Sequence, residues 1–64
     1  MVNSGRLHDA AVIYSNMGLA CLENKEVKSE LEYFTKSFEL YKKLGLEKKA
    51  GEVEMKIKSI AGNR

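Results

Sequence analysis

Apolar residues along this chain recur at intervals of three and four, the spacing that places side chains on one face of an α-helix. The first such series consists of Leu7, Ala10, Ala11, Tyr14, Met17, Gly18 and Cys21. It predicts a helix over about residues 5–23, with Ser4 as N-cap and Asn24 in the left-handed conformation that ends a helix. A helical wheel centres the predicted core face on Leu7, Tyr14, Gly18 and Cys21.

The second predicted helix, over about residues 27–44, has two apolar rows. One row is Val27, Leu31, Phe34, Phe38 and Tyr41, and the row beside it is Tyr33, Ser37, Leu40 and Leu44. A helix with two such rows has to pack against two neighbours. Gly45 suits the left-handed position after the helix, and we expect Leu46 to fold back onto Tyr41.

The third predicted helix, over about residues 47–61, has a single apolar stripe formed by Ala50, Val53, Ile57 and Ile60. Its other positions are nearly all Glu, Lys or Ser, apart from Gly51 and Met55, which is typical of a terminal helix with a solvent-facing back. The sequence therefore predicts one all-α domain over residues 1–64, built as an antiparallel helical hairpin plus a third helix.

A spaced motif runs through residues 14–42: Tyr14-x₂-Met17-Gly18-x₂-Cys21, then Glu30-x₃-Phe34, then Lys42. It resembles one tetratricopeptide repeat (TPR), whose pattern is W-x₂-L-G-x₂-Y, then A-x₃-F, then P in about 34 residues. Gly18 and Phe34 are identities with that pattern. The third helix corresponds to a capping helix, so the resemblance implies one repeat plus a C-terminal cap in an α-α superhelix.

Three positions depart from the repeat pattern. Glu30 replaces the small residue that normally lets the two helices touch, Lys25 replaces the usual turn glycine, and Lys42 replaces the terminal proline. Without that proline, the second helix can continue to Leu44.

The resemblance also implies where a ligand would bind, because the first helices of such repeats line a concave groove. The matching positions are Val12, Ser15, Leu19, Leu22 and Glu23. The wheel independently places Val12 and Leu19 opposite the core face. We therefore expect a protein–protein interaction module that binds a polypeptide segment through the first helix. Family members that grip acidic C-terminal tails have Lys and Asn where this chain has Ser15 and Leu19, which disfavours that mode.

The same face offers an alternative, in which it packs on a neighbouring repeat or on a second copy of the chain. A chain of 64 residues buries only about 60% of its unfolded surface. Repeat units need about three copies before stacking makes them stable. We therefore predict a homodimer formed through the first helix, or an array of neighbouring repeats, rather than a lone monomer.

Catalytic, cofactor and metal-binding functions find no support in the sequence. The rotation around the first helix from His8 to Cys21 is about 220°, which puts them on different faces, so they cannot act as a nucleophile and its base there. One His and one Cys give no metal-ligand spacing, and no glycine-rich phosphate loop is present. We predict that the chain is not an enzyme and has no cofactor. A single cysteine, no signal-peptide pattern and no long apolar run favour the cytoplasm and no membrane contact.

Charge distribution supplies the rival function, nucleic-acid binding. The first 41 residues contain four basic and six acidic side chains, whereas residues 42–64 contain seven basic and three acidic. The basic cluster around the second turn is Lys42, Lys43, Lys48 and Lys49. Glu47, Glu52 and Glu54 interleave with it, and no recognition motif accompanies it, so the sequence favours a polypeptide partner.

Overall fold

Three α-helices make up the fold. The computed structural model describes residues 4–62, in which α1 spans Ser4–Glu23, α2 spans Val27–Lys43 and α3 spans Glu47–Gly62. No strand occurs in that range. The all-α prediction and the helical hairpin with a third helix are confirmed, and each described boundary lies within one residue of its prediction.

The turn between α1 and α2 ends the first helix by a backbone hydrogen-bond pattern known as a Schellman motif. The Glu26 N–H donates to the Cys21 carbonyl at 2.8 Å, and the Lys25 N–H donates to the Leu22 carbonyl at 3.1 Å. The left-handed residue is Lys25, with φ of 60°. The prediction that Asn24 adopts this conformation was therefore wrong by one position, because the Asn24 N–H still donates to the Ala20 carbonyl at 3.1 Å and so continues the helical hydrogen-bond pattern.

The turn between α2 and α3 repeats the same pattern. Gly45 has φ of 77°, and the Leu46 N–H donates to the Tyr41 carbonyl at 2.9 Å. The predicted role of Gly45 is confirmed, and the backbone of Leu46 turns back to Tyr41 through this hydrogen bond. In both turns the residue that closes the preceding helix also begins the next one: the Glu26 carbonyl accepts from the Glu30 N–H, and the Leu46 carbonyl accepts from the Ala50 N–H.

The central helix is α2, which packs against α1 on one side and α3 on the other. The core cluster is Ala11, Phe34, Tyr41, Ala50 and Val53, with Phe38, Leu40, Ile57 and Ile60 partly buried against it. The positions buried deepest on α2 are Glu30, Phe34, Ser37 and Tyr41. This line lies between the two predicted apolar rows, because it is where both neighbouring helices meet α2.

Small residues on α1 let its backbone approach α2 closely. The Ser37 hydroxyl donates to the Ala11 carbonyl at 2.8 Å and lies 2.7 Å from the Ser15 hydroxyl. Because the Ser37 hydroxyl donates its proton to the Ala11 carbonyl, the Ser15 hydroxyl is the donor in the bond between the two serines. Farther along α1, Gly18 faces the ring of Phe34, and a Cβ on that glycine would lie 2.8 Å from Phe34 Cε1. The two residues identical to the repeat pattern are therefore in direct contact.

Candidate functional site

A groove lies between α1 and α3, with α2 as its floor. Its volume is about 550 Å³. The lining residues are Leu19 and Leu22 of α1, Glu30 and Phe34 of α2, and Glu52, Met55, Lys56, Ser59 and Ile60 of α3. We call this surface the α1–α3 groove. Most of its exposed area is apolar.

Exposed side chains on both walls give the α1–α3 groove its apolar character. Leu22 is 52% exposed and Met55 is 73% exposed, and Leu19 is also well exposed. They lie above the buried ring of Phe34, so the apolar walls and floor are continuous. A mostly apolar groove of this volume is within the range of sites that bind a ligand.

The structure brings together two of the five residues predicted from the first helix. Leu19 and Leu22 line the α1–α3 groove, whereas Val12 and Glu23 are exposed outside it. Ser15 is half-buried and hydrogen-bonds to Ser37 at the α1–α2 interface, so that hydroxyl is already engaged within the fold. The resemblance to the repeat pattern placed Ser15 among the positions that line the ligand groove. The residue instead lies at the border of the core face, because the close approach of α1 at Ala11 and Gly18 widens its contact with α2.

The polar member of the floor, Glu30, is only 1% exposed. It occupies the same place after its turn as Ala50 does in α3, four residues beyond the residue that begins the helix. No hydrogen bond or ion pair to the Glu30 carboxylate forms among residues 4–62. Glu30 nevertheless lines the α1–α3 groove. The fold thus presents a carboxylate at the bottom of an apolar groove.

Neighbouring carboxylates also affect Cys21, which is buried at the end of α1 close to the turn. Burial raises the pKa of its thiol, and the negative charges of Glu26 and Glu30 raise it further. A thiol held in its protonated form is a poor nucleophile. Among residues 4–62, no group of three or more His, Cys, Asp or Glu side chains is placed to hold a metal ion.

The other side of α2 has a smaller pocket of about 420 Å³, lined by Tyr14, Lys36, Glu39, Leu40 and Lys43. The rings of Tyr14 and Tyr33 stack on each other with centroids 6.1 Å apart, and Lys36 Nζ lies 6.0 Å from the Tyr14 ring. These aromatic faces are used within the fold, and Glu39 lies between the two lysines in sequence. The pocket therefore lacks the open stacking surface and uniform positive charge typical of nucleic-acid sites.

Sequence reasoning missed the α3 wall and the role of Glu30. Two signals pointed to them: Met55 is a lone apolar residue on a polar helix back, and Glu30 replaces a small residue of the repeat pattern. The apolar spacing within α1 and within α3 does not show that these two helices leave a space between them. No helix within the described residues has both the length and the apolar character needed to cross a bilayer.

Comparison with protein-family models found no match, and searches of curated proteins and of solved structures found no similar chain.

Proposed function

We propose that this chain is a polypeptide-binding module whose ligand lies in the α1–α3 groove. The observation that supports this proposal is an open apolar groove of about 550 Å³ above Phe34. Covering a large apolar side chain is worth about 1.5–3 kcal/mol when it is complete. Leu19, Leu22 and Met55 can each contribute a part of that amount on binding.

The shape of the groove favours a narrow ligand. It runs between two helices, which suits an amphipathic helix or an extended segment that inserts a few apolar side chains. The TPR resemblance supports the same function, since α1 and α3 correspond to the first helices of successive units. A second copy of the chain is the alternative occupant, and the homodimer expected from the small size of the domain would use the same apolar side chains. A free buried cysteine fits a reducing compartment such as the cytoplasm.

The proposal is tested by selecting peptides from a random display library on the immobilised protein and measuring their affinities by calorimetry. Leu22→Glu puts a charge on the groove wall, and we expect it to weaken binding about tenfold or more. Ile13→Glu is the matched control, because the exposed fraction of Ile13, 55%, is close to that of Leu22, and Ile13 does not line the groove. Failure to select any peptide, or equal effects of the two variants, would refute the proposed function.

A further inference from the structure

We infer that the α1–α3 groove selects polypeptides with a basic anchor: one Arg or Lys whose charged end pairs with Glu30 and whose aliphatic stem lies along the apolar walls. The inference rests on the proposed function, because it specifies which segment the groove takes. The inference is carried by the burial of Glu30, by the absence of a hydrogen bond or ion pair to its carboxylate within residues 4–62 and by the place of Glu30 in the lining of the groove.

A buried carboxylate without a partner is costly for the folded state. Transfer of a charged group from water into a protein interior is unfavourable unless an opposite charge or hydrogen bonds compensate it. Glu30 lies in the first turn of α2, whose positive end compensates only part of that cost. The equivalent position of α3 holds a small residue, Ala50. A residue that lowers stability where a better one fits is typical of a site kept for binding.

The charges around Glu30 determine which kind of ligand can pair with its carboxylate. Glu52 and Lys56 also line the groove, so the three charged side chains sum to one negative charge. Lys56 is exposed and forms no ion pair with Glu30 in this structure. An acidic ligand would bring a like charge to the floor, whereas a cation would find an unpaired carboxylate.

The apolar walls favour a cation on a long aliphatic stem over a small ion. Arg and Lys side chains pack their methylene groups on apolar surface while the charged end reaches a polar partner. Arg fits best, because its planar guanidinium donates two parallel hydrogen bonds to one carboxylate. The walls formed by Leu19, Leu22 and Met55 would cover the stem.

A double-mutant cycle tests the pairing directly. The probes are the peptides recovered from the random display library on the wild-type protein, resynthesised with each Arg or Lys replaced in turn by Gln. Each is titrated against the wild type, against Glu30→Gln, and against Glu54→Gln. Glu54 is exposed on α3 outside the groove, so its variant controls for the same loss of charge. Gln has nearly the volume of Glu, and a melting curve for each variant verifies folding.

We expect the recovered peptides to share a basic residue among apolar ones, and Glu30→Gln to weaken their binding about tenfold while Glu54→Gln leaves it unchanged. Replacing the anchor should cost about tenfold on the wild type and almost nothing on Glu30→Gln, since the two changes remove one interaction. The melting temperature of Glu30→Gln should rise, which separates lost binding from lost folding. Peptides that need Leu22 but bind Glu30→Gln as tightly as the wild type would overturn this inference and leave the proposed function intact. Binding that is insensitive to Leu22→Glu would refute both. A free protein that sediments as a dimer, dissociates on Leu22→Glu and binds no peptide would make a second copy the occupant and overturn the inference.

Discussion

Two glycine-to-alanine substitutions test the spacing between α1 and α2. In Gly18→Ala the new Cβ would lie 2.8 Å from Phe34 Cε1, 2.9 Å from Cδ1 and 3.0 Å from Cζ. Phe34 is almost fully buried, so a shift of its ring would disturb its packing in the core. In Gly51→Ala nothing lies within 4 Å of the new Cβ. Both glycines are within helices, so both variants gain helix propensity, and only Gly18→Ala meets Phe34.

The expected magnitudes have opposite signs. Alanine is favoured over glycine inside a helix by about 1 kcal/mol, a gain that both variants receive. Forcing an extra methyl group into a packed core costs about 1–3 kcal/mol, a loss that only Gly18→Ala suffers. Gly51→Ala should therefore raise the free energy of unfolding by about 1 kcal/mol, whereas Gly18→Ala should lower it by roughly 0–2 kcal/mol.

Urea unfolding followed by far-UV circular dichroism, at one protein concentration, measures both free energies. In a domain of this size each kcal/mol corresponds to about 4–8 °C in the melting temperature, so thermal melts give a second reading. Because the propensity gain cancels between the variants, their difference of about 1–3 kcal/mol reports the clash alone. Equal stabilisation by the two substitutions would show that α1 and α2 are farther apart than the structure has them.

Three further changes probe the turn, the core and the thiol. Lys25→Gly should raise the free energy of unfolding by about 1 kcal/mol, because Lys25 has a left-handed backbone that glycine adopts without strain; an unchanged urea midpoint would contradict the turn geometry. Phe34→Ala should cost about 3–5 kcal/mol, enough to unfold so small a domain, and a circular dichroism melt close to the parent would refute the core assignment. Folding raises the pKa of the Cys21 thiol. The contribution of this thiol to the free energy of unfolding should therefore be complete at a pH below its pKa in the unfolded chain, about 8.5, and should be lost as the pH rises through its pKa in the folded protein. The free energy of unfolding, measured by urea titration at several pH values across that range, should therefore fall less steeply with pH for Cys21→Ala than for the wild type. The same pH dependence for both proteins would argue against the raised pKa.

The helices and their order could be predicted from the sequence because apolar spacing and turn residues are local signals. Gly45 illustrates this, since a glycine after a basic last turn predicts a left-handed residue without reference to tertiary structure. Asn24 shows the limit: choosing between it and Lys25 requires knowing where the backbone hydrogen bonds of α1 stop. Leu19 and Leu22 were predicted on the ligand face and line the groove.

The remaining features of the candidate site depend on how helices meet, which periodicity does not encode. Ser15 was placed on the ligand face by the resemblance to the repeat pattern, which does not show how close an approach Ala11 and Gly18 permit. Glu30 was recognised as a departure from the repeat pattern, but its burial depends on how the helices pack around the start of α2, which the pattern does not show. A general rule that keeps glutamate at the surface would have placed it in water.

The shared residues of the two turns have a consequence for how the molecule opens. Glu26 closes α1 and begins α2, and Leu46 closes α2 and begins α3, so neither junction has a spare residue that could act as a hinge. Loss of the last turn of one helix would release the first turn of the next. We expect the three helices to exchange their amide hydrogens as one cooperative unit rather than fraying separately at the junctions. A scaffold that unfolds only as one cooperative unit would keep the width of its groove constant. This would reduce the conformational entropy lost when a ligand binds.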